Sequence, residues 1–415
     1  MSTHTVLSFI TPVKPEAEQE LAAYLTAVGE DIEGNQEIRF SLMTSLHFAS
    51  FVIFPDKEYG PYLTFEANFD GDDVGAFLDE VLEVAAPAIH RIYSATKGYT
   101  ATTNAETKQF LLAHVVRPGA YHIGTPWRTV SRIHEEDVLR NAIEEHADGL
   151  PKNGAPGALR KQIQSYVRSR GDLDFSKKTP VTGTFAQRWL PYVKLYGSAA
   201  IALPLALLFL PLLILGAIVL RIKEATDSVW MGDVDESRWR AIGAKEDKYR
   251  IVQNHMASLT AVKNGWFRRM LQRGVLAFAE LTARTSTKGT LSNIPSIHFA
   301  HWAVIDNGRR LLFFSNFDGS WENYLDDFID KAAVGLTGIW SCTVGFPRTY
   351  FLFWGGATNG PRFKAIAKEK QTPTLVWYSA YKNLTVQTIN KNTELRAKLD
   401  GNLSDADTRA WLQLL

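Results

Sequence analysis

Two histidine and aspartate pairs stand out in this chain because they occur twice in the same setting. Leu46-His47-Phe48-Ala49 recurs as Ile297-His298-Phe299-Ala300, and Asn68-Phe69-Asp70-Gly71 recurs as Asn316-Phe317-Asp318-Gly319, at nearly the same spacing. A histidine beside a carboxylate can act as a general base or ligate a metal or a haem iron. His47 with Asp70, and His298 with Asp318, are therefore the candidate catalytic residues. The structural alternative is that each Asp-Gly ends a strand and its carboxylate caps the following helix, each histidine being a satisfied interior side chain. Repetition favours this alternative, because a fold needs its turn in both copies whereas an enzyme usually needs its site once.

No other pattern of this kind carries chemistry. The phosphate-binding GxxxxGKS/T, the nucleophile elbow GxSxG and the zinc motif HExxH are all missing. Gly355-Gly356-Ala357-Thr358-Asn359-Gly360 reads as a turn, and His134 and His146 are too far apart to ligate a metal from one helical turn. No metal site is assigned. Cys342 is the single cysteine, which excludes an intramolecular disulfide and any CxxC framework. The 45 Lys and Arg residues balance 44 Asp and Glu, leaving no global field to recruit nucleic acid. With 46% hydrophobic and 21% charged residues the chain can build sizeable cores.

The elements that must position these residues also repeat. In the first copy, alternation predicts strands over 5–13, 41–54 and 62–69, with helices from Pro15 to about Gly29 and from Asp72 to about Ala95. In the second copy the strands are expected at 249–262, 296–305 and 310–317, and the helices at 266–285 and 321–340. Each copy closes with a strand candidate, 120–124 or 374–381, ahead of the matched segments 128–134 and 384–390. The order βαββαβ, twice, is that of the split βαβ or ferredoxin-like unit. The predicted fold class is therefore α+β, with two such units paired through their sheets. The expected domains are 1–148 and 246–415 for the repeats, 149–196 and 221–245 as linkers, and 197–220 as a membrane anchor.

The anchor reads GSAAIALPLALLFLPLLILGAIVL, without a charge and long enough in principle to cross a bilayer. Pro204 and Pro211 are expected to bend it, and both flanks are basic, which favours a re-entrant or monotopic seat over a single span. Membrane lipid at 197–220 is the expected partner, with the soluble domains on the cytoplasmic side and no cleaved secretory signal.

Tandem ferredoxin-like units in one chain resemble the dimeric α+β barrel superfamily, which includes the dye-decolourising peroxidases. Those enzymes carry a GxxDG motif, to which Ala67-Asn68-Phe69-Asp70-Gly71 and Ser315-Asn316-Phe317-Asp318-Gly319 are similar in the last two letters. The resemblance implies haem as cofactor, Asp70 as the distal acid, and His255, His298 or His301 as the residues available to hold iron. It implies a peroxidase-like enzyme acting on a peroxide or lipophilic substrate. The alternatives are a non-catalytic module for a lipid or hydrophobic small molecule, and a membrane-tethered partner subunit of another enzyme.

Overall fold

The computed structural model describes residues 4–150, 155–249, 252–283, 285 and 290–415. The first half runs β1 (His4–Pro12), α1 (Glu18–Glu30), β2 (Leu46–Phe54), β3 (Tyr62–Asp70), α2 (Val74–Ser94), α3 (Asn104–Ala113), β4 (Val115–Val116), β5 (Ala120–Ile123), α4 (Val130–Asp148) and α5 (Pro156–Ser169). Three helices follow: α6 (Phe185–Leu208), α7 (Leu210–Thr226) and α8 (Glu236–Tyr249). The second half runs β6 (Gln253–Ala261), α9 (Trp266–Ala283), β7 (Ile297–Ile305), β8 (Arg310–Asp318), α10 (Trp321–Trp340), a short hairpin of β9 (Thr349–Tyr350) and β10 (Trp354–Gly355), α11 (Gly360–Lys370), β11 (Val376–Ser379), α12 (Val386–Ala397) and α13 (Asp405–Leu412). Of the second copy's predicted first strand and helix, residues 250, 251 and 284 lie outside the described residues.

The fold is mixed α+β with two main antiparallel sheets, ordered β11-β2-β3-β1-β4 and β5-β7-β8-β6. The closing strand of each copy pairs with the opposite half. β11 runs along β2, with Trp377 opposite Ser50, and β5 runs along β7, with His122 opposite Ala300. Alternation in a sequence fixes which face a strand buries and says nothing of its neighbour, so this crossing was hidden. It covers two edges that would otherwise be open to pairing with another chain.

β2 is buried at every residue because both of its faces are covered. Ala49, Phe51 and Ile53 pack with Leu21 and Leu25 of α1 and with Phe77 and Leu78 of α2. The intervening Val52 and Phe54 face the other sheet, where Ile10, Val52, Phe54 and Tyr62 meet Ala257, Ala303, Leu312 and Phe314. Each such side chain is stabilised by roughly 1.5–3 kcal/mol relative to exposure, so this face-to-face contact is a major part of the core. Arg310 clamps one end of it, donating from Nε and Nη2 to both oxygens of Asp56 (2.5 and 3.1 Å).

Part of the stretch read as a linker is folded onto the body. Ile163 and Val167, one turn apart on α5, join Leu173 in a core with Leu139, Ile143, Leu395 and Trp411. The apolar run at 197–220 is divided between two helices. Pro204 lies inside α6, and the break falls at Phe209 (φ −97°, ψ 18°), with Pro211 in the first turn of α7 where a missing N–H is tolerated. α6 is long and apolar enough to cross a membrane, and none of its residues is buried. Its base is held where the Tyr192 hydroxyl donates to the Thr285 carbonyl (2.9 Å). The far end of α7 is held by the buried Glu224 carboxylate, which accepts the N–H groups of Phe351 and Leu352 (each 2.9 Å).

Gly124 follows the crossing strand β5 and donates its N–H to the His298 carbonyl (2.8 Å); a Cβ there would stand 2.0 Å from the Ile297 carbonyl oxygen. Gly124→Ala is expected to cost about 2–4 kcal/mol, because backbone must move to admit the methyl group. The denaturation midpoint of the detergent-purified chain measures this, and an unchanged midpoint would contradict the seating of β5 on β7.

Candidate functional site

β2 and β3 are neighbours, and their ends bring the first predicted pair together. His47 donates from Nε2 to Asp70 Oδ1 (3.1 Å), while Asp70 Oδ2 accepts the N–H of Val130, the first residue of α4 (2.9 Å). The second half repeats this. His298 donates from Nε2 to Asp318 Oδ1 (2.7 Å), and Asp318 Oδ2 accepts the N–H of Val386 at the start of α12 (2.8 Å). Each aspartate thus serves a helix start, but the helix is the one beyond the crossing strand. The helices that directly follow the Asp-Gly turns are capped instead by Asp73 and Ser320. The doubled pair is a staple that docks α4 and α12 onto the ends of the sheets.

Chemistry that occurs once is found where the copies differ. In the strand register His4 stands opposite Asp70, whereas Gln253 stands opposite Asp318. His4 Nδ1 lies 3.2 Å from Asp70 Oδ1, with its side chain 2% exposed, yet neither ring nitrogen makes an aligned hydrogen bond among the described residues. The Tyr381 hydroxyl donates to His47 Nδ1 (2.8 Å). Burial pushes the His47 pKa down against the pull of Asp70, and with the Tyr381 hydroxyl on Nδ1 the ring donates to Asp70 from Nε2. Burial favours the neutral form of Asp70, but His4 and His47 beside it outweigh that and hold its carboxyl far below the usual carboxylate range.

The second difference lies midway between the sheets. Glu66 is fully buried and accepts from His255 Nε2 (2.9 Å), Ser50 Oγ (2.8 Å), Asn68 Nδ2 (2.9 Å) and Asn316 Nδ2 (3.0 Å). The other half puts Phe314 at the matching place, and where Ser50 lies opposite Glu66 it puts His301 opposite Phe314. His301 Nε2 hydrogen-bonds Ser8 Oγ across the sheets (3.0 Å), and burial pushes its pKa down to about 4. Burial opposes ionisation of Glu66, but the charge and hydrogen bond of His255 prevail and keep its carboxyl below the ordinary value. Two of the three histidines named for iron, His255 and His301, are thereby committed to a cross-sheet polar network.

Two cavities accompany these groups. One, of about 520 Å³, is an open cleft of mixed polar and apolar lining, formed by Asp70, Gly71, Trp127, Arg132, Glu135, Lys178 to Val181 and Arg396 among others. Trp127 holds a left-handed backbone (φ 68°), an uncommon state for a bulky residue, and its ring closes against Gly183, where a Cβ would stand 2.6 Å away. The other, of about 40 Å³, is apolar and lies on the helix side of the second sheet beside Met256, Tyr324 and Trp340. A haem needs a ligating nitrogen at the wall of an open slot. His255, His298 and His301 line neither cavity; His298 packs on the rings of Phe48 and Tyr381 (centroids 5.2 and 5.8 Å), and His255 and His301 pack on Phe314 (5.8 and 5.2 Å). These residues do not fit a haem in this structure.

His4, Glu66 and Tyr381 were not singled out in the sequence. The signal for the first two is a difference between the copies at matched register positions, His4 against Gln253 and Glu66 against Phe314, and it is weak because the copies differ at many other positions as well. Compared with known proteins, the chain matches no family model, no curated protein and no solved structure.

Asp70→Asn and Asp318→Asn are each expected to lower stability by about 1–2 kcal/mol, since each removes an anionic acceptor at a helix start. Loss in only one of the two, by chemical denaturation, would contradict a shared staple. Glu66→Gln is expected to cost about 3 kcal/mol near pH 7 by leaving His255 without its carboxylate. The folded pKa of Glu66 lies below 4.5, so its contribution is present above that pH and is lost as pH falls; the gap between variant and parent should close in acid. A gap constant from pH 7 to 3 would contradict an ionised Glu66.

Proposed function

We propose that this chain is a membrane-seated protein of the dimeric α+β barrel type, two ferredoxin-like copies joined through their sheets, that takes an anionic amphipathic molecule into the cleft above Asp70. The observation that carries the reading is the position of the cleft. Its lining at 178–181 leads within a few residues into α6, whose Leu203, Leu205, Leu207 and Leu208 are exposed among the described residues. A ligand lying in the bilayer surface would therefore meet the cleft at the root of the anchor.

The halves exchange strands, so both must lie on one side of any bilayer, and the apolar segment has to leave the body and return to it. Tyr192 before it and Glu224 after it dock on the same half. Its apolar arms, 197–208 and 210–220, reach roughly 18 and 16 Å, about half of a hydrocarbon core of roughly 30 Å. This supports a re-entrant or monotopic seat rather than a single span. The basic residues on both flanks support a cytoplasmic face for the body.

For the cleft, Arg132, Lys178 and Arg396 face Asp70 and Glu135. Both arginines are tied to the frame, Arg132 to Glu136 (2.7 Å) and Arg396 to the Phe175 carbonyl (2.6 Å), whereas exposed Lys178 makes no ion pair among the described residues. Among the described residues that line the cleft, Lys178 is the cation open to an anionic group, and Trp127 adds an apolar surface to the same cleft. The 40 Å³ apolar cavity is too small for a lipophilic substrate. The peroxidase-like reading lacks a place for haem, and the binding reading is preferred to it.

Two measurements test the proposal. The parent chain should stay in the membrane pellet on alkaline carbonate extraction, and the double variant Leu203→Glu, Leu207→Glu should move largely to the supernatant; a parent extracted by carbonate would overturn the membrane seat. Native mass spectrometry of gently detergent-released protein should show a bound small-molecule adduct that is lost in Lys178→Glu. A parent without an adduct, or an adduct indifferent to Lys178→Glu, would overturn the ligand reading and leave the membrane seat standing.

A further inference from the structure

We infer that His4, His47 and Asp70 form a binding site for one divalent d-block cation, of the zinc or non-haem iron type, opening on the cleft. One ligand atom from each residue lies within 4.8 Å of the others. His47 Nε2 and His4 Nδ1 stand 3.1 and 3.2 Å from Asp70 Oδ1. Ligand atoms about 2.0–2.1 Å from a tetrahedral ion are about 3.3 Å apart, so the cluster needs only small shifts to close on a metal. Two histidines and a carboxylate are a donor set that suits such ions, and three protein ligands leave coordination positions open.

The second observation is His4 itself. Its ring is almost wholly buried, with Nδ1 3.2 Å from Asp70 Oδ1, yet neither nitrogen makes an aligned hydrogen bond among the described residues. A buried imidazole without an aligned hydrogen bond is costly, and a metal held between it, His47 and Asp70 would satisfy it. The outer contacts suit the role. Asp70 Oδ2 is fixed by the Val130 N–H (2.9 Å), and the Tyr381 hydroxyl lies 2.8 Å from His47 Nδ1. With a metal on Nε2, the His47 ring proton would sit on Nδ1 and donate to the Tyr381 oxygen, which would orient the ring.

The second half supplies an internal control. Gln253 replaces His4, donates to the carbonyls of Tyr381 and Leu384 (3.1 and 2.6 Å) and accepts from Ser379 Oγ (2.7 Å). That position is closed by hydrogen bonds and offers no ligand. His298 and Asp318 keep the staple without the third donor.

This inference needs the cleft only as an opening and does not depend on its anionic ligand or on the membrane seat. The full detergent-purified chain, stripped with chelator, is titrated with Zn²⁺ and with Co²⁺ as a spectroscopic probe. One equivalent of Zn²⁺ should bind, Co²⁺ should give visible d–d bands, and both ions should raise the melting temperature. His4→Gln, which copies the residue tolerated by the other half, should keep the circular dichroism spectrum and weaken metal binding by more than the roughly tenfold to hundredfold that loss of an outer contact costs. No stoichiometric metal binding in the parent, or binding unchanged in a folded His4→Gln, would overturn the site, whatever the outcome of the adduct measurement.

Discussion

The edges of β2 and β7 govern much of this molecule. A bare edge presents unpaired N–H and C=O groups, and each of these edges is closed by a short strand from the other half. Once β11 lies on β2 and β5 on β7, the two sheets are tied together and their inner faces meet. That is why β2 and β3 are buried along nearly their whole length rather than alternating between core and solvent. The helices beyond the crossing strands, α4 and α12, are carried with them, and the aspartate at the end of each central hairpin receives their first N–H groups.

This frame is close to symmetric, and the departures from symmetry are where polar chemistry collects. A carboxylate inside the sheet contact, Glu66, is tolerable because four donors from both halves converge on it. At the sheet end, His4 turns one staple into a three-residue cluster, while Gln253 turns the other into a closed hydrogen-bond set. The cleft opens beside the first of these.

The sequence was informative about local structure and poor about partners. The sequence predicts strands over 41–54 and 296–305 and a helix over 321–340. β7 and α10 lie there, whereas β2 begins only at Leu46, after a 3-10 turn at Phe40–Leu42, and the uncharged run lies in the apolar helices α6 and α7. The sequence did not reveal that 120–123 and 376–379 leave their own copies, since a period of two carries no address. α3 starts at the capping box of Thr103 with Glu106 in a stretch with little apolar period, so the cap is the one local signal for it. In YLTFEANFD a glutamate reads as an outward polar residue of a half-exposed strand; it is interior because the opposite face meets a second sheet. The repeated residues drew attention to the staple, while the residues specific to one copy, His4 among them, lay outside the repeat signal.

The crossing strands also impose an order of events during synthesis. β11 follows β2 by roughly 320 residues, so the edge of β2 stays uncovered while all of the chain between them is being made, and neither sheet can be completed by its own half. Pairings this distant in sequence form late and leave exposed strand edges prone to aggregation in the meantime. α6 and α7 emerge well before that point. If they enter the bilayer as they emerge, the unfinished first half waits at a membrane surface, tethered and diluted from its neighbours, until the last strand arrives to close it.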